Sequence, residues 1–175
     1  MMAGANGRLM TVVLGVLKIL IVLNLVSLVL FAGILAGSVL AEARVTAAIL
    51  ESGSALDPVG TLAAVRLVMA VGIVAVPLAH VLLTRLKAMV ETVRAGDPFV
   101  RANAERLHVI AWCLFGLQLC DLGFGAVSMH FAADAGPVSG WTISLTGWLA
   151  VALLFVLARV FAHGTDLRDE LEGTV

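Results

Sequence analysis

The sequence predicts an all-α integral membrane four-helix bundle, and its composition, apolar runs and charge placement each support that fold class. Of its 175 residues, 61% are hydrophobic and 13% charged, and the mean hydropathy is +1.09. Soluble domains have about 45–50% apolar and about 25% charged residues, so a lipid-facing surface is expected. The formal net charge is -1 and neither sign forms a long block, which excludes disordered and nucleic-acid-binding chains.

Four apolar segments are long enough to cross a bilayer. A helix rising about 1.5 Å per residue needs about 20 mainly apolar residues to span a core of about 30 Å. Four stretches meet this requirement with one Lys, Arg, Asp or Glu residue each: 9–40, 61–83, 107–131 and 141–161. They occupy most of the chain, so we expect a single transmembrane domain over residues 1–175.

The positions of Lys and Arg predict the orientation, because positively charged loops resist translocation. Arg8 precedes the first segment, Arg168 follows the fourth, and the opposite side has only Arg44. The segment between the second and third spans carries five cations: Arg85, Lys87, Arg94, Arg101 and Arg106. Both termini and the loop 84–106 are therefore predicted to be cytoplasmic.

The first segment has two interpretations. Ala41-Glu42-Ala43 has the small-x-small form of a signal-peptidase site after a hydrophobic run. Signal-peptide cores are usually about 7–15 residues long, and this run is much longer, which favours a retained span. The helix is then expected to continue beyond the membrane toward Glu51.

Local signals predict the ends of the next helices. Asp57-Pro58 has the form of an N-cap followed by proline at the first helical position, so the second helix should begin there. Apolar residues continue at helical spacing after residue 83, which predicts an extension into the cytoplasm that stops at Gly96. Asp97-Pro98 and Asn103 are alternative caps for the third helix.

The central loop resembles a known family. The residues concerned are Leu86-Lys87, the run from Val93 to Val100, Asn103, Arg106-Leu107 and Ile110-Ala111. This pattern is similar to that of a bacterial four-span membrane family, domain of unknown function 2975. The resemblance implies a multi-pass protein of the bacterial inner (plasma) membrane whose gene often neighbours a small helix-turn-helix repressor of the Cro type. It implies no activity, cofactor or catalytic residue.

Two interpretations of this loop are open. It is either a rigid hairpin whose arginines touch lipid headgroups, or a docking turn for a cytoplasmic protein. The residues of this candidate docking turn are Arg94, Gly96, Asp97, Pro98, Phe99 and Arg101.

A second candidate site is a polar cluster inside the membrane, because charges there are costly and often functional. Counting about 1.5 Å per residue places Asp121, Arg66 and Asn24 at a similar depth, about 21 to 22 Å from the cytoplasmic edge. We expect a buried Arg66–Asp121 ion pair with Asn24 nearby. It acts either as a structural clasp or as a substrate or proton site.

No Walker loop, nucleophile elbow, His-Glu-x-x-His or dinucleotide fingerprint occurs in the sequence, so we expect no enzyme, cofactor or metal site. The expected partners are the lipid bilayer and a cytoplasmic helix-turn-helix protein, without direct nucleic-acid binding. Gly33 and Gly37 form a Gly-x-x-x-Gly pair that serves either internal packing or homo-oligomerisation.

The function expected from the sequence is that of a signalling or regulatory membrane component working with a cytoplasmic helix-turn-helix regulator. The alternative is a small transporter or channel subunit with a buried site at Arg66 and Asp121.

Overall fold

A computed structural model describes residues 2–51, 57–135 and 141–172, which contain five α-helices and no strand. The helices are α1 (Met2–Leu40), α2 (Glu42–Glu51), α3 (Pro58–Arg94), α4 (Arg101–Ala135) and α5 (Leu145–Glu172). Of these, α1, α3, α4 and α5 are long and apolar enough to cross a membrane. The predicted all-α class with four membrane-spanning helices is therefore confirmed.

The four long helices pack as an open row. Helix α1 packs on α3, α3 on α4, and α4 on α5, while α2 packs beside α3. Within the described part of the chain, α1 and α5 make no contact with each other. Large apolar side chains are exposed on each of the four long helices, for example Val29 of α1 at 72% and Leu153 of α5 at 59%. Exposed apolar surface of this kind is stable in contact with lipid but unfavourable in water.

Helix α1 holds one stripe of side chains against α3. Most of its less exposed positions recur at alternating three- and four-residue spacing, which keeps one face turned to a neighbouring helix. The positions that follow this spacing are Leu14, Leu17, Ile21, Asn24, Leu28, Phe31, Leu35 and Ser38. The stripe runs from Leu14 to Ser38, and α3 is the one long helix that α1 contacts in the described part of the chain.

Gly72 on α3 makes room for a large side chain of this stripe. A Cβ atom built at Gly72 would lie 2.6 Å from Cδ2 of Phe31, whereas one built at Gly33 would meet nothing within 4 Å. We expect Gly72→Ala to lower the free energy of unfolding by about 1–3 kcal/mol, because the Phe31 ring must move. Gly33→Ala, the matched control, should be neutral or slightly stabilising. Unfolding in detergent measures both, and equal effects would contradict the packing described.

Between α1 and α2 the helix is interrupted at Ala41. The carbonyl of Ser38 would accept the backbone N–H of Glu42 in a continuous helix, but here it accepts Nη2 of Arg66 at 2.6 Å. The guanidinium from α3 thus replaces a backbone donor at this break. The expected continuation toward Glu51 is helical, but it is a separate helix.

Helix α3 begins as predicted. The Asp57 carboxylate accepts the backbone N–H groups of Val59 and Gly60 at 3.4 and 2.7 Å, and Pro58 occupies the first helical position. The helix has 37 residues, about 55 Å, which exceeds a hydrocarbon core of about 30 Å. The predicted extension of this helix beyond the membrane-spanning segment is present, and a Lys87–Glu91 pair at 3.5 Å lies on it.

The starts of α4 and α5 differ from the sequence-based predictions. Helix α4 begins at Arg101, after both residues of Asp97-Pro98 and before Asn103, so neither predicted cap is used. Helix α5 begins at Leu145, four residues after Trp141. There the Ser144 hydroxyl accepts the backbone N–H of Gly147 at 3.1 Å, which is the usual N-cap geometry.

Candidate functional site

The α3–α4 turn is closed by a backbone motif that requires glycine. Gly96 has a φ of +93°, a conformation that side chains with a Cβ rarely adopt. The N–H of Gly96 bonds the Val93 carbonyl at 3.1 Å, and the N–H of Asp97 bonds the Thr92 carbonyl at 3.3 Å. This pair of bonds is the Schellman ending of a helix. Gly96 therefore terminates α3, as its position in the sequence predicts.

Asn103 joins the two sides of the turn. Its side chain is almost completely buried, at 1% exposure. Its Nδ2 donates to the Thr92 hydroxyl at 2.8 Å and to the Pro98 carbonyl at 2.9 Å, and its Oδ1 accepts from Arg106 Nη1 at 2.8 Å. One amide thus ties α3, the turn and α4 together. A buried amide is stable at such a place because both its N–H groups and its oxygen form hydrogen bonds.

Helix α5 holds the turn from a third side. Nη1 of Arg168 donates to the Asp97 carboxylate at 2.7 Å and to the Phe99 carbonyl at 3.3 Å. The Phe99 and Phe161 rings stack with their centroids 5.3 Å apart. Asp97 and Phe99, separated from Arg168 by about 70 positions in sequence, are therefore fixed against the end of α5.

Some residues of the predicted docking turn remain available at the surface. Arg94 and Arg101 are exposed, and neither forms an ion pair within 4.0 Å with any residue that the structure describes. Phe99 is stacked on one face yet 51% exposed. The turn therefore combines a rigid backbone with an exposed surface of two guanidinium groups and one aromatic ring. We call Arg94, Phe99 and Arg101 the turn surface.

The predicted Arg66–Asp121 ion pair is not formed. Arg66 donates through Nη2 to Glu42 Oε2 at 2.9 Å and through Nε to the Ser38 hydroxyl at 3.4 Å. Asp121 instead accepts Nε1 of Trp141 at 3.4 Å. Each of the two side chains therefore has its own partner on a different helix or segment.

Helix register explains the separation. Val71 lies next to Gly123 across the antiparallel α3–α4 contact, so Asp121 lies opposite residue 73. That level is seven residues, about 10 Å along the axis, from Arg66. The ends of the apolar segments put the cytoplasmic membrane edge at Leu83 on α3 and at Leu107 on α4, which assumes that these two residues lie at the same depth. The packed helices put Leu83 opposite residue 111, because Arg106 lies beside Ala88.

Asn24, the third residue of the predicted cluster, joins neither charged group. Counting along α1 from the contact between Phe31 and Gly72 places Asn24 opposite residues 79 and 80 of α3. Asn24 Oδ1 and His80 Nδ1 are both buried, without a hydrogen-bond partner in the described chain. The sequence-based reasoning missed His80 at this level. The sequence feature that could have indicated a polar group such as His80 at this level is Asn24, a polar residue within the apolar stripe of α1.

The three predicted cluster residues thus lie at three different places, and the transporter alternative has no shared Arg66–Asp121 site. The described residues contain no group of three or more His, Cys, Asp or Glu side chains that could hold a metal ion.

These features define the class of the protein. Four long helices with outward-facing apolar side chains, connected on one side by a rigid polar turn, form a multi-pass α-helical membrane protein. A model of a family described as protein of unknown function (DUF2975) matches residues 56–175. The chain belongs to this family, as the resemblance of the central loop indicated. The matched range includes α3, the turn, α4 and α5. No curated protein and no solved structure matches the chain.

Proposed function

We propose that the protein is a signalling or regulatory membrane component whose turn surface docks a cytoplasmic partner. The observation that carries this proposal is the turn itself. Its backbone is held from three helices, while Arg94, Phe99 and Arg101 are exposed. A rigid surface loses little conformational entropy when a partner binds, and an exposed aromatic ring beside guanidinium groups is a common composition of binding hot spots.

The orientation predicted from the sequence supports a cytoplasmic partner. The turn lies in the segment richest in Lys and Arg, which is the side that the positive-inside rule assigns to the cytoplasm. The partner we propose is a small helix-turn-helix regulator, the class implied by the resemblance to the family. Exposed guanidinium groups fit an acidic surface on that regulator and would accelerate encounter with it.

Co-purification tests this function directly. The detergent-solubilised protein should retain a co-expressed helix-turn-helix protein encoded beside its gene. Replacing both Arg94 and Arg101 by Glu should reduce the retained amount at least about tenfold, because attraction becomes repulsion at the interface. Retention by the unchanged protein should also weaken as the salt concentration rises.

The matched control is the double variant Arg8→Glu and Arg44→Glu. It makes the same change in net charge at two exposed positions away from the turn surface. This control should retain the partner as the unchanged protein does. Equal retention by both double variants, or no retention by the unchanged protein, would contradict the proposal.

A further inference from the structure

A groove between α4 and α5 opens near the ends of these helices that adjoin the turn. Its volume is about 600 Å³, within the range of about 300–1,000 Å³ typical of small-molecule sites. Ala104 and Ala158, which line it, are buried at 5% and 4% exposure. Thr165 is also buried, and its hydroxyl donates to the Ala162 carbonyl at 2.7 Å. The small side chains of these residues leave space between the helices, and the one hydroxyl among them is already hydrogen-bonded. Charged side chains border that space.

The groove has charges of both signs. Helix α4 contributes Arg101 and Glu105, and α5 contributes Arg159 and Asp166. All four are exposed, and none forms an ion pair within 4.0 Å in the part of the chain that the structure describes. His108 also lines the groove, and its Nε2 accepts Nε1–H of Trp112 at 3.1 Å. The four charged groups therefore sum to zero.

The position of the groove along α4 and α5 corresponds to the expected surface of a bilayer. It straddles the predicted ends of two apolar segments, Leu107 on α4 and Phe161 on α5. Val109 and Phe155 line its apolar end, while Arg101 and Asp166 line its polar end. Trp112, beside His108, is 55% exposed, as is typical of tryptophan at a membrane interface. A molecule in this groove would meet hydrocarbon at one end and the headgroup region at the other.

We propose that this groove binds the headgroup of a zwitterionic phospholipid with a primary ammonium group, of the phosphatidylethanolamine class. The phosphate accepts hydrogen bonds from Arg101 and Arg159, whose planar guanidinium groups suit phosphate oxygens. The ammonium group donates to Glu105 and Asp166. The acyl chains follow the apolar end of the groove past Val109 and Phe155.

Charge balance selects this class of lipid over two others. An anionic headgroup such as phosphatidylglycerol would satisfy the guanidinium groups but would bring a like charge toward Glu105 and Asp166. A choline headgroup carries no N–H group and cannot donate to these carboxylates. Only a headgroup with both a phosphate and a primary ammonium can form hydrogen bonds with the guanidinium groups and with the carboxylates.

Native mass spectrometry of the full chain in detergent tests the proposal with three synthetic lipids of identical acyl chains. The probes are phosphatidylethanolamine, phosphatidylglycerol and phosphatidylcholine. We expect phosphatidylethanolamine to bind about tenfold more tightly than either of the others, as one or two charge-assisted hydrogen bonds would produce. Equal binding of all three lipids would overturn the assignment.

Two substitutions distinguish the role of the arginines from that of the carboxylates. Arg159→Gln should weaken binding of both phosphatidylethanolamine and phosphatidylglycerol, because it removes a phosphate donor. Glu105→Gln should weaken phosphatidylethanolamine but strengthen phosphatidylglycerol, since it removes a carboxylate that repels an anion. Arg44→Gln, an exposed charge change outside the groove, should alter neither. If the groove variants, folded as shown by unchanged thermal unfolding, bind lipids as the control does, the proposal is wrong.

A soluble headgroup distinguishes a lipid from a free metabolite. Glycerophosphoethanolamine lacks the acyl chains that Val109 and Phe155 would contact, so it should compete with the lipid only at much higher concentration. Competition at the same concentration as the lipid would overturn the lipid assignment. Arg101 belongs to both the turn surface and the groove, but these readouts involve no protein partner and use Arg159 and Glu105, so failure of partner docking would leave them unchanged.

Discussion

Replacing Asn103 by Ala is expected to lower the free energy of unfolding by about 2–4 kcal/mol. The substitution removes the donor to the Pro98 carbonyl and the acceptor for Arg106, in a place where water cannot replace them. The Thr92 hydroxyl loses its donor as well. Titration of the folded protein in mild detergent with sodium dodecyl sulfate measures the change.

Thr84→Ala is the matched control for Asn103→Ala. The Thr84 hydroxyl also has hydrogen bonds, but they reach only the His80 and Val81 carbonyls of its own helix at 2.9 Å. Its removal should cost less than about 1 kcal/mol, because no other helix is released. Similar losses for the two variants would show that the Asn103 amide does not join the helices energetically.

Arg66→Ala should have the second large effect, a loss of about 1–3 kcal/mol in the same unfolding measurement. Removing the guanidinium leaves the Ser38 carbonyl without its donor at the break between α1 and α2, and leaves Glu42 without its partner. The side chains of Arg66 and Glu42 are 29% and 59% exposed, so the bond to the carbonyl should contribute more than the ion pair does.

A double-mutant cycle identifies the partner of Arg66. Arg66→Ala and Glu42→Ala should be non-additive by roughly 0.5–1 kcal/mol, as expected for a partly exposed ion pair. Arg66→Ala and Asp121→Ala should be additive within about 0.5 kcal/mol, since these residues share no partner. If the coupling energy of Arg66 with Asp121 exceeded that with Glu42, the Arg66–Asp121 ion pair predicted from the sequence would be correct.

Features that depend on neighbouring residues were predictable from the sequence. The Asp57 cap, the termination of α3 at Gly96 and the four apolar helices each follow from local propensity or from composition. The candidate turn was also recognisable, because Gly-Asp-Pro-Phe is unusual between two apolar segments. The structure adds that Asp97 and Phe99 of this motif contact α5.

Features that depend on register were not predictable. Depths counted from the ends of the apolar segments assume that these ends are level, but packing shifts α4 against α3 by several residues. That shift separates Arg66 from Asp121, while the packing of α3 against α1 brings Arg66 to the Ser38 carbonyl at the α1–α2 break. The start of α4 was missed for a related reason, since Asn103 serves a buried network inside the helix and not its cap.

The sequence alone therefore determined the class, a membrane protein with four spans, the limits of several helices, and the expected orientation. These properties follow from the free energy of placing each segment in lipid or water, which is nearly additive along the chain. Tertiary structure decided the open row of helices, the partners of Arg66, Asp121 and Asn103, and the groove between α4 and α5. These depend on how far each helix slides and turns against the next, because a polar side chain can bond only to groups at its own level.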